Sequence, residues 1–203
     1  METRRCWSNP AHSSHGPASI CASFAQSRKG APPIFFPKGG HRPKQMLKLD
    51  QKFRGVANID EFGIVLEEQM SQDMDAGSLV IALAAASKLI DERIGTKTLQ
   101  RLASWHLLLQ RILNQMEELE PRGLSMVATA AAKLAWRDEL LFTKLAQAGV
   151  CKGSNFSITD VAKMTWAFAK VDWVEEAMEF WSVMEKQVIE KIQSGKFIEV
   201  SMI

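Results

Sequence analysis

The apolar residues from about Ile59 onward recur at steps of three and four along the chain. Side chains spaced in this way lie on one face of an α-helix, and the alternation typical of a half-buried strand is absent. Gly, Pro and Ser divide the pattern into successive segments. The predicted helices cover about residues 59–70, 78–90, 99–116, 121–135, 138–148, 157–171 and 175–193. We therefore predict an all-α fold.

One helical pattern occurs three times, and its copies can be aligned on Lys88, Lys133 and Lys170, which are 45 and 37 residues apart. Apolar residues stand nine, six and two positions before each Lys and one position after it, and Ala stands three before. These positions are Leu79, Ala82, Ala85, Ala86 and Leu89; Leu124, Val127, Ala130, Ala131 and Leu134; and Val161, Met164, Ala167, Phe168 and Val171. Such a period is typical of repeat arrays. It predicts an α-solenoid of stacked antiparallel helix pairs, with about three degenerate repeats of 37–45 residues.

Residue types at the helix ends and turns predict local features. Gly149 is a candidate C-cap, followed by a loop over residues 151–156, and Ser157 or the Thr159-Asp160 pair is a candidate N-cap. Trp136, Trp166 and Trp173 are predicted to pack helices together, although an aromatic side chain can also stack on a base.

The third copy, Ala162 to Lys170, together with the helix start Glu139-Leu140-Leu141-Phe142, resembles the octotricopeptide class of helical repeats. It is similar also to FAST-kinase-like organelle proteins and to armadillo-like subunits that bind RNA-editing substrates. The resemblance covers roughly residues 75–195, and Ala84 and Thr129 stand where the third copy has its Trp. It implies an RNA-binding protein that acts in organellar RNA processing, stability, editing or translation.

Charge divides the chain into two parts. Residues 1–57 carry ten Lys or Arg and two Asp or Glu, a net charge of +8, whereas residues 58–203 carry a net charge of −6. The first part is rich in Pro and Ser, so we predict a disordered segment over residues 1–57 and a helical-repeat domain over residues 58–203. A basic, acid-poor start fits a transit peptide for a mitochondrion or a plastid. The alternative is a generic basic tail on a cytoplasmic protein.

Motifs for catalysis, cofactor binding or a small-molecule substrate are absent from the sequence, so we predict a binding protein that is not an enzyme. Cys6, His12, His15 and Cys21 have the side chains of zinc ligands but lack the usual paired spacing, so no metal site is predicted. His106 is assigned a structural role. The chain has no apolar run of about eighteen residues, so no membrane partner is expected.

The recurring cations are the candidate RNA-binding residues: Lys88, Lys133, Lys163, Lys170 and Arg137. Cations aligned on stacked helices could follow the phosphates of single-stranded RNA. Lys88, Lys133 and Lys170 could instead only complement the dipoles of the helices that they end. The acidic helical part favours a second hypothesis, a protein–protein interaction scaffold of the armadillo or HEAT type without RNA contact.

Overall fold

The helical arrangement comes from a computed structural model, which describes residues 44–72, 74–89 and 95–194. Nine α-helices lie in these ranges. They are α1 (Lys44–Arg54), α2 (Ile59–Met70), α3 (Ala76–Leu89), α4 (Gly95–Leu99), α5 (Ala103–Asn114), α6 (Pro121–Lys133), α7 (Glu139–Lys152), α8 (Ile158–Lys170) and α9 (Met178–Gln193). Short 3-10 turns cover Met116–Glu118, Gly153–Asn155 and Glu175–Ala177. The described ranges contain no strand, so the predicted all-α class is confirmed.

Side chains that cap the helix starts explain where several helices begin. The Asn58 side chain accepts a hydrogen bond from the Glu61 N–H at 2.9 Å, and Asp138 accepts one from the Leu141 N–H at 2.7 Å. Ser157 Oγ accepts from the Asp160 N–H at 3.2 Å. Each bond satisfies an amide that has no partner inside its helix. Ser157 is therefore the N-cap of α8, as one of the two sequence alternatives proposed.

The helices pack in two connected sets. We call α1, α3, α6 and α8 the first-row helices, because each packs against the next. Helices α2, α5, α7 and α9 are the second-row helices, and each packs against the first-row helix that precedes it: α1, α3, α6 and α8 in turn. The core lies between the two rows, because the apolar stripes of both face inward.

Two long-range interactions fix the direction of the first-row helices. The Arg111 guanidinium, near the end of α5, donates to the carbonyls of Met70 and Gln72 at 3.3 and 3.2 Å. This contact joins the ends of α2 and α5, after which α3 and α6 begin. Ser125 in α6 donates to Asp160, in the first turn of α8, at 2.9 Å. Helices α3, α6 and α8 therefore start on one side of the molecule and end on the other.

The three copies of the apolar pattern form the buried stripe that the sequence predicted. All twelve stripe residues are buried except Leu89, which is half-buried. The Ala three positions before each anchor Lys is buried in α6 and α8, and half-buried in α3. Burial of this stripe is what holds each first-row helix in place, because an isolated helix of this length is marginal in water.

Helices α6 and α8 also end in the same way. Ala135 and Asp172, each two residues past its anchor Lys, have φ values of 50° and 59°. The next N–H groups, of Trp136 and Trp173, donate to the carbonyls five residues earlier at 2.9 and 3.0 Å. These are matched Schellman caps in which a left-handed residue closes the helix.

Replacing Ala135 with Gly is expected to raise the free energy of unfolding by about 0.5–1 kcal/mol, because Gly reaches a positive φ without steric cost. Urea unfolding followed by circular dichroism measures the change. Ala169→Gly is the matched control: Ala169 is an exposed residue within α8, so its replacement should cost about 1 kcal/mol. A loss of stability in both variants would contradict the strain argument.

Gly149 has a packing role instead of the predicted capping role. It is buried within α7, and a Cβ atom there would lie 2.8 Å from Cδ2 of Phe180. The missing side chain lets the Phe180 ring of α9 lie directly on the α7 backbone. The predicted loop also starts too early, because Cys151 and Lys152 belong to α7.

The helix predicted over residues 99–116 is divided. Helix α4 ends at Leu99 and α5 begins at Ala103, after Leu102 adopts an extended conformation with ψ 123°. The break lets Leu102 reach the surface of α2, where a Cβ on Gly63 would lie 3.2 Å from Leu102 Cδ1. His106 Nε2 donates to the Gln100 carbonyl at 2.8 Å, which satisfies an acceptor at the break. The contact between Leu102 and α2 joins residues far apart in the chain, so the periodicity of the sequence cannot predict it.

The helical fold extends across the boundary predicted between residues 57 and 58. Leu49 and Phe53 of α1 are buried, and the Phe53 ring centroid lies 5.5 Å from that of Phe62 in α2. The sequence interpretation assigned this region to the disordered segment because of its basic composition and missed the amphipathic helix α1. The candidates Cys6, His12, His15 and Cys21 and most of the proposed transit peptide lie outside the described residues.

Candidate nucleic-acid interface

The anchor residues Lys88, Lys133 and Lys170 lie in the last turns of α3, α6 and α8, and all three are exposed. Because these helices run in the same direction, the three Lys lie at the same end of the first row. Each also lies where a cation complements the helix dipole. The position of these Lys is therefore compatible with phosphate binding and with complementation of the helix dipoles.

Lys163 and Arg137 are exposed as well. Lys163 lies on α8 seven residues before Lys170, and Arg137 follows the Schellman cap of α6. Within the described ranges no carboxylate lies within ion-pair distance of Lys88, Lys133 or Lys163. The charges of these three Lys are therefore not neutralised by a neighbouring described side chain.

Trp166 is exposed, with 43% of its surface accessible, so the prediction that it packs in the core is wrong. It lies four residues before Lys170, whose Nζ is 5.3 Å from the indole centroid. This is cation–π geometry on an open surface. Trp173, in contrast, packs as predicted, with its ring centroid 6.0 Å from that of Phe142.

A different set of cations joins helix ends and was missed by the sequence interpretation. Besides Arg111, Lys144 donates to the Leu113 carbonyl at 3.1 Å. Lys152 donates to the carbonyls of Glu117 and Leu119 at 2.8 and 2.6 Å, and burial lowers the pKa of its ammonium group. These side chains tie α7 to the end of α5 and to the turn that follows it. Their carbonyl partners give Arg111, Lys144 and Lys152 a structural role.

A cleft of about 260 Å³ opens on the first row over α3, between α1 and α6. Its lining consists of Asp50, Phe53, Arg54, Val56, Ile81, Ala84, Ala85, Lys88, Leu89, Arg122 and Met126. Lys88 is the one anchor Lys among them. The sequence contained a partial signal for the cleft, because Ala84 occupies the motif position where the third copy has Trp166.

Other kinds of site are not found in the part of the chain that the structure describes. No group of three His, Cys, Asp or Glu side chains there could hold a metal ion. The described helices include none that is long and apolar enough to cross a membrane.

Comparisons with known proteins identified no relative of this chain. No family model matches the chain, and neither a curated protein nor a solved structure shows significant similarity to it.

Proposed function

We propose that this protein is an RNA-binding α-solenoid that acts in organellar RNA processing, stability, editing or translation, by binding and without catalysis. The mitochondrial or plastid location is part of this proposal and rests on the basic, acid-poor N-terminal segment. The observation that carries the proposal is the placement of Lys88, Lys133 and Lys170. They are exposed, occupy one motif position, and lie in the last turns of three successively packed helices.

The solenoid part of the proposal is supported by the packing order of the helices. Each first-row helix contacts the next and is followed by its own second-row partner. The matched caps at Ala135 and Asp172 show that the second and third copies share backbone geometry as well as sequence. Such an array presents the same motif position at regular intervals, as a linear ligand requires.

RNA affinity requires local positive charge, since residues 58–203 carry a net charge of −6. The anchor Lys, Lys163 and Arg137 supply exposed cations on the first-row helices and the adjoining turn. Trp166, beneath Lys170, adds an exposed aromatic face on which a base can stack. Together they form the candidate RNA interface.

A protein-interaction scaffold is the second candidate function, and one observation favours it. Each second-row helix carries an exposed large apolar side chain: Ile64, Leu107, Leu140 and Met178 on α2, α5, α7 and α9. Exposed apolar groups are common singly, but one on each successive helix is a feature that a protein partner could use.

Replacing Lys133, Lys163 and Lys170 together with Gln is expected to weaken binding to a labelled single-stranded oligoribonucleotide. It should also reduce the slope of log K against log salt by roughly 2, about 0.7 for each lost phosphate contact. Fluorescence anisotropy at several salt concentrations measures both quantities. Helix content should stay constant, because Gln is nearly as good a helix former as Lys.

The matched control replaces Lys97, Lys186 and Lys191 with Gln, which makes the same charge change on α4 and α9. If the anchor variant and the control lower the affinity and the slope equally, the effect is one of net charge and the proposed interface is wrong. If the wild-type protein does not bind the oligoribonucleotide, the scaffold hypothesis takes its place. Circular dichroism of both variants establishes that they are folded.

A further inference from the structure

We call Ala84 and Ala85 of α3 the floor of the cleft, because they are the small side chains in its lining. Ala84 and Ala85 are half-buried and lie between α1 on one side and α6 on the other. Phe53 of α1 and Met126 of α6 line the cleft on either side. At the motif position of Ala84 the third copy has the exposed Trp166, so the first copy has a recess where the third has an aromatic surface.

Charge at the cleft is predominantly positive. Arg54, Lys88 and Arg122 are exposed, and Asp50 is the one carboxylate of the lining, so the net charge is +2. Asp50 Oδ2 accepts from Arg54 Nε and lies against Nη2, at 3.0 and 2.8 Å. The hydrogen bond and the charge of Asp50 raise the pKa of Arg54. Arg54 is therefore held in place by Asp50, whereas no described carboxylate lies within ion-pair distance of Lys88 or Arg122.

We propose that this cleft binds a single nucleotide, with the base against the apolar floor and the phosphate at Lys88 and Arg122. The inference rests on the proposed RNA-binding function and names where one base of the strand is held. An apolar recess explains affinity for a base, and the cations explain affinity for a phosphate, so a nucleotide satisfies both.

The size of the cleft limits the ligand to one base. Its volume of about 260 Å³ is below the roughly 300–1,000 Å³ of sites for drug-sized ligands. Inorganic phosphate would leave the floor at Ala84 and Ala85 uncovered. A purely apolar ligand would make no use of Lys88 and Arg122, which have no described carboxylate within ion-pair distance. Lys88 belongs both to the cleft and to the anchor series, so a strand that follows Lys133 and Lys170 can enter the cleft at Lys88.

Nuclear magnetic resonance of the full chain with labelled Met methyl groups tests the proposal. AMP and UMP are titrated separately, and the methyl resonance of Met126 is expected to shift, because Met126 lines the cleft. Ala84→Leu fills the floor and should weaken nucleotide binding roughly tenfold, as a change of side-chain size in an apolar pocket does. Thr129→Leu is its control, since Thr129 has the same motif position on α6 and is not among the lining residues.

A second pair of variants changes only exposed charge, so folding does not limit it. Arg122→Gln should weaken AMP and UMP binding, whereas Arg101→Gln should not, because Arg101 is exposed but lies outside the lining. The same four variants are titrated with the single-stranded oligoribonucleotide. The oligoribonucleotide titration shows whether the cleft binds a nucleotide within a strand or only a free nucleotide.

The outcomes separate the two proposals. If the oligoribonucleotide binds but Ala84→Leu and Arg122→Gln leave its affinity unchanged, the cleft proposal is overturned and the RNA-binding proposal stands. In another outcome, AMP or UMP shifts the methyl resonance of Met126, Ala84→Leu abolishes this shift, and the oligoribonucleotide does not bind. This outcome supports the cleft as a free-nucleotide site and overturns the proposed function. If neither ligand binds, both proposals are wrong.

Discussion

Replacing Phe180 with Ala is expected to lower the free energy of unfolding by about 3–5 kcal/mol, because the removed ring leaves a cavity in the core. The ring centroid lies 4.2 Å from that of Phe168, in a stacked arrangement, and 5.7 Å from that of Trp181. It also covers the backbone of Gly149. The side chain thus joins α7, α8 and α9.

Trp166→Ala provides the matched control for this loss. It removes a larger aromatic side chain that is 43% exposed, so its cost should be well below that of Phe180→Ala. Urea unfolding followed by helix circular dichroism measures both variants. If the two costs are equal, the core between α7, α8 and α9 does not depend on the Phe180 ring.

Replacing Asp160 with Ala is expected to cost about 2–3 kcal/mol, because two hydrogen bonds to a buried carboxylate are lost. Asp160 Oδ1 accepts from Ser125 Oγ at 2.9 Å, and Oδ2 accepts from Ser157 Oγ at 2.6 Å. The first bond joins α6 to α8, and the second reinforces the N-cap. Both helices are first-row helices, so the effect concerns the packing of one first-row helix against the next.

Asp60→Ala is the control, since Asp60 is an exposed acidic residue in the first turn of α2 and should contribute about 0.3–1 kcal/mol through the helix dipole alone. A double-mutant cycle with Ser125→Ala isolates the bond between helices. Additive costs for Asp160→Ala and Ser125→Ala would show that this bond contributes nothing to stability.

Features that depend on local spacing could be predicted from the sequence. Steps of three and four set the helices, and the repeated stripe set which face each first-row helix buries. The outward direction of Lys88, Lys133 and Lys170 follows, because they lie off that stripe. Ser157 was identifiable as a cap because capping needs only a hydroxyl next to the first amides of a helix.

Tertiary structure alone decided the features that depend on residues far apart in the chain. Gly149 looked like a helix end until Phe180, thirty-one residues later, was found against it. Arg111 and Lys152 were assigned no role from the sequence, and carbonyls near the ends of other helices are their partners. The cleft is lined by residues of α1, α3 and α6, which are far apart in the chain. Helix α1 is buried through the contact of Phe53 with Phe62 in α2. Periodicity tells which face of a helix is buried, whereas only the packed neighbour determines what covers that face and where a recess remains.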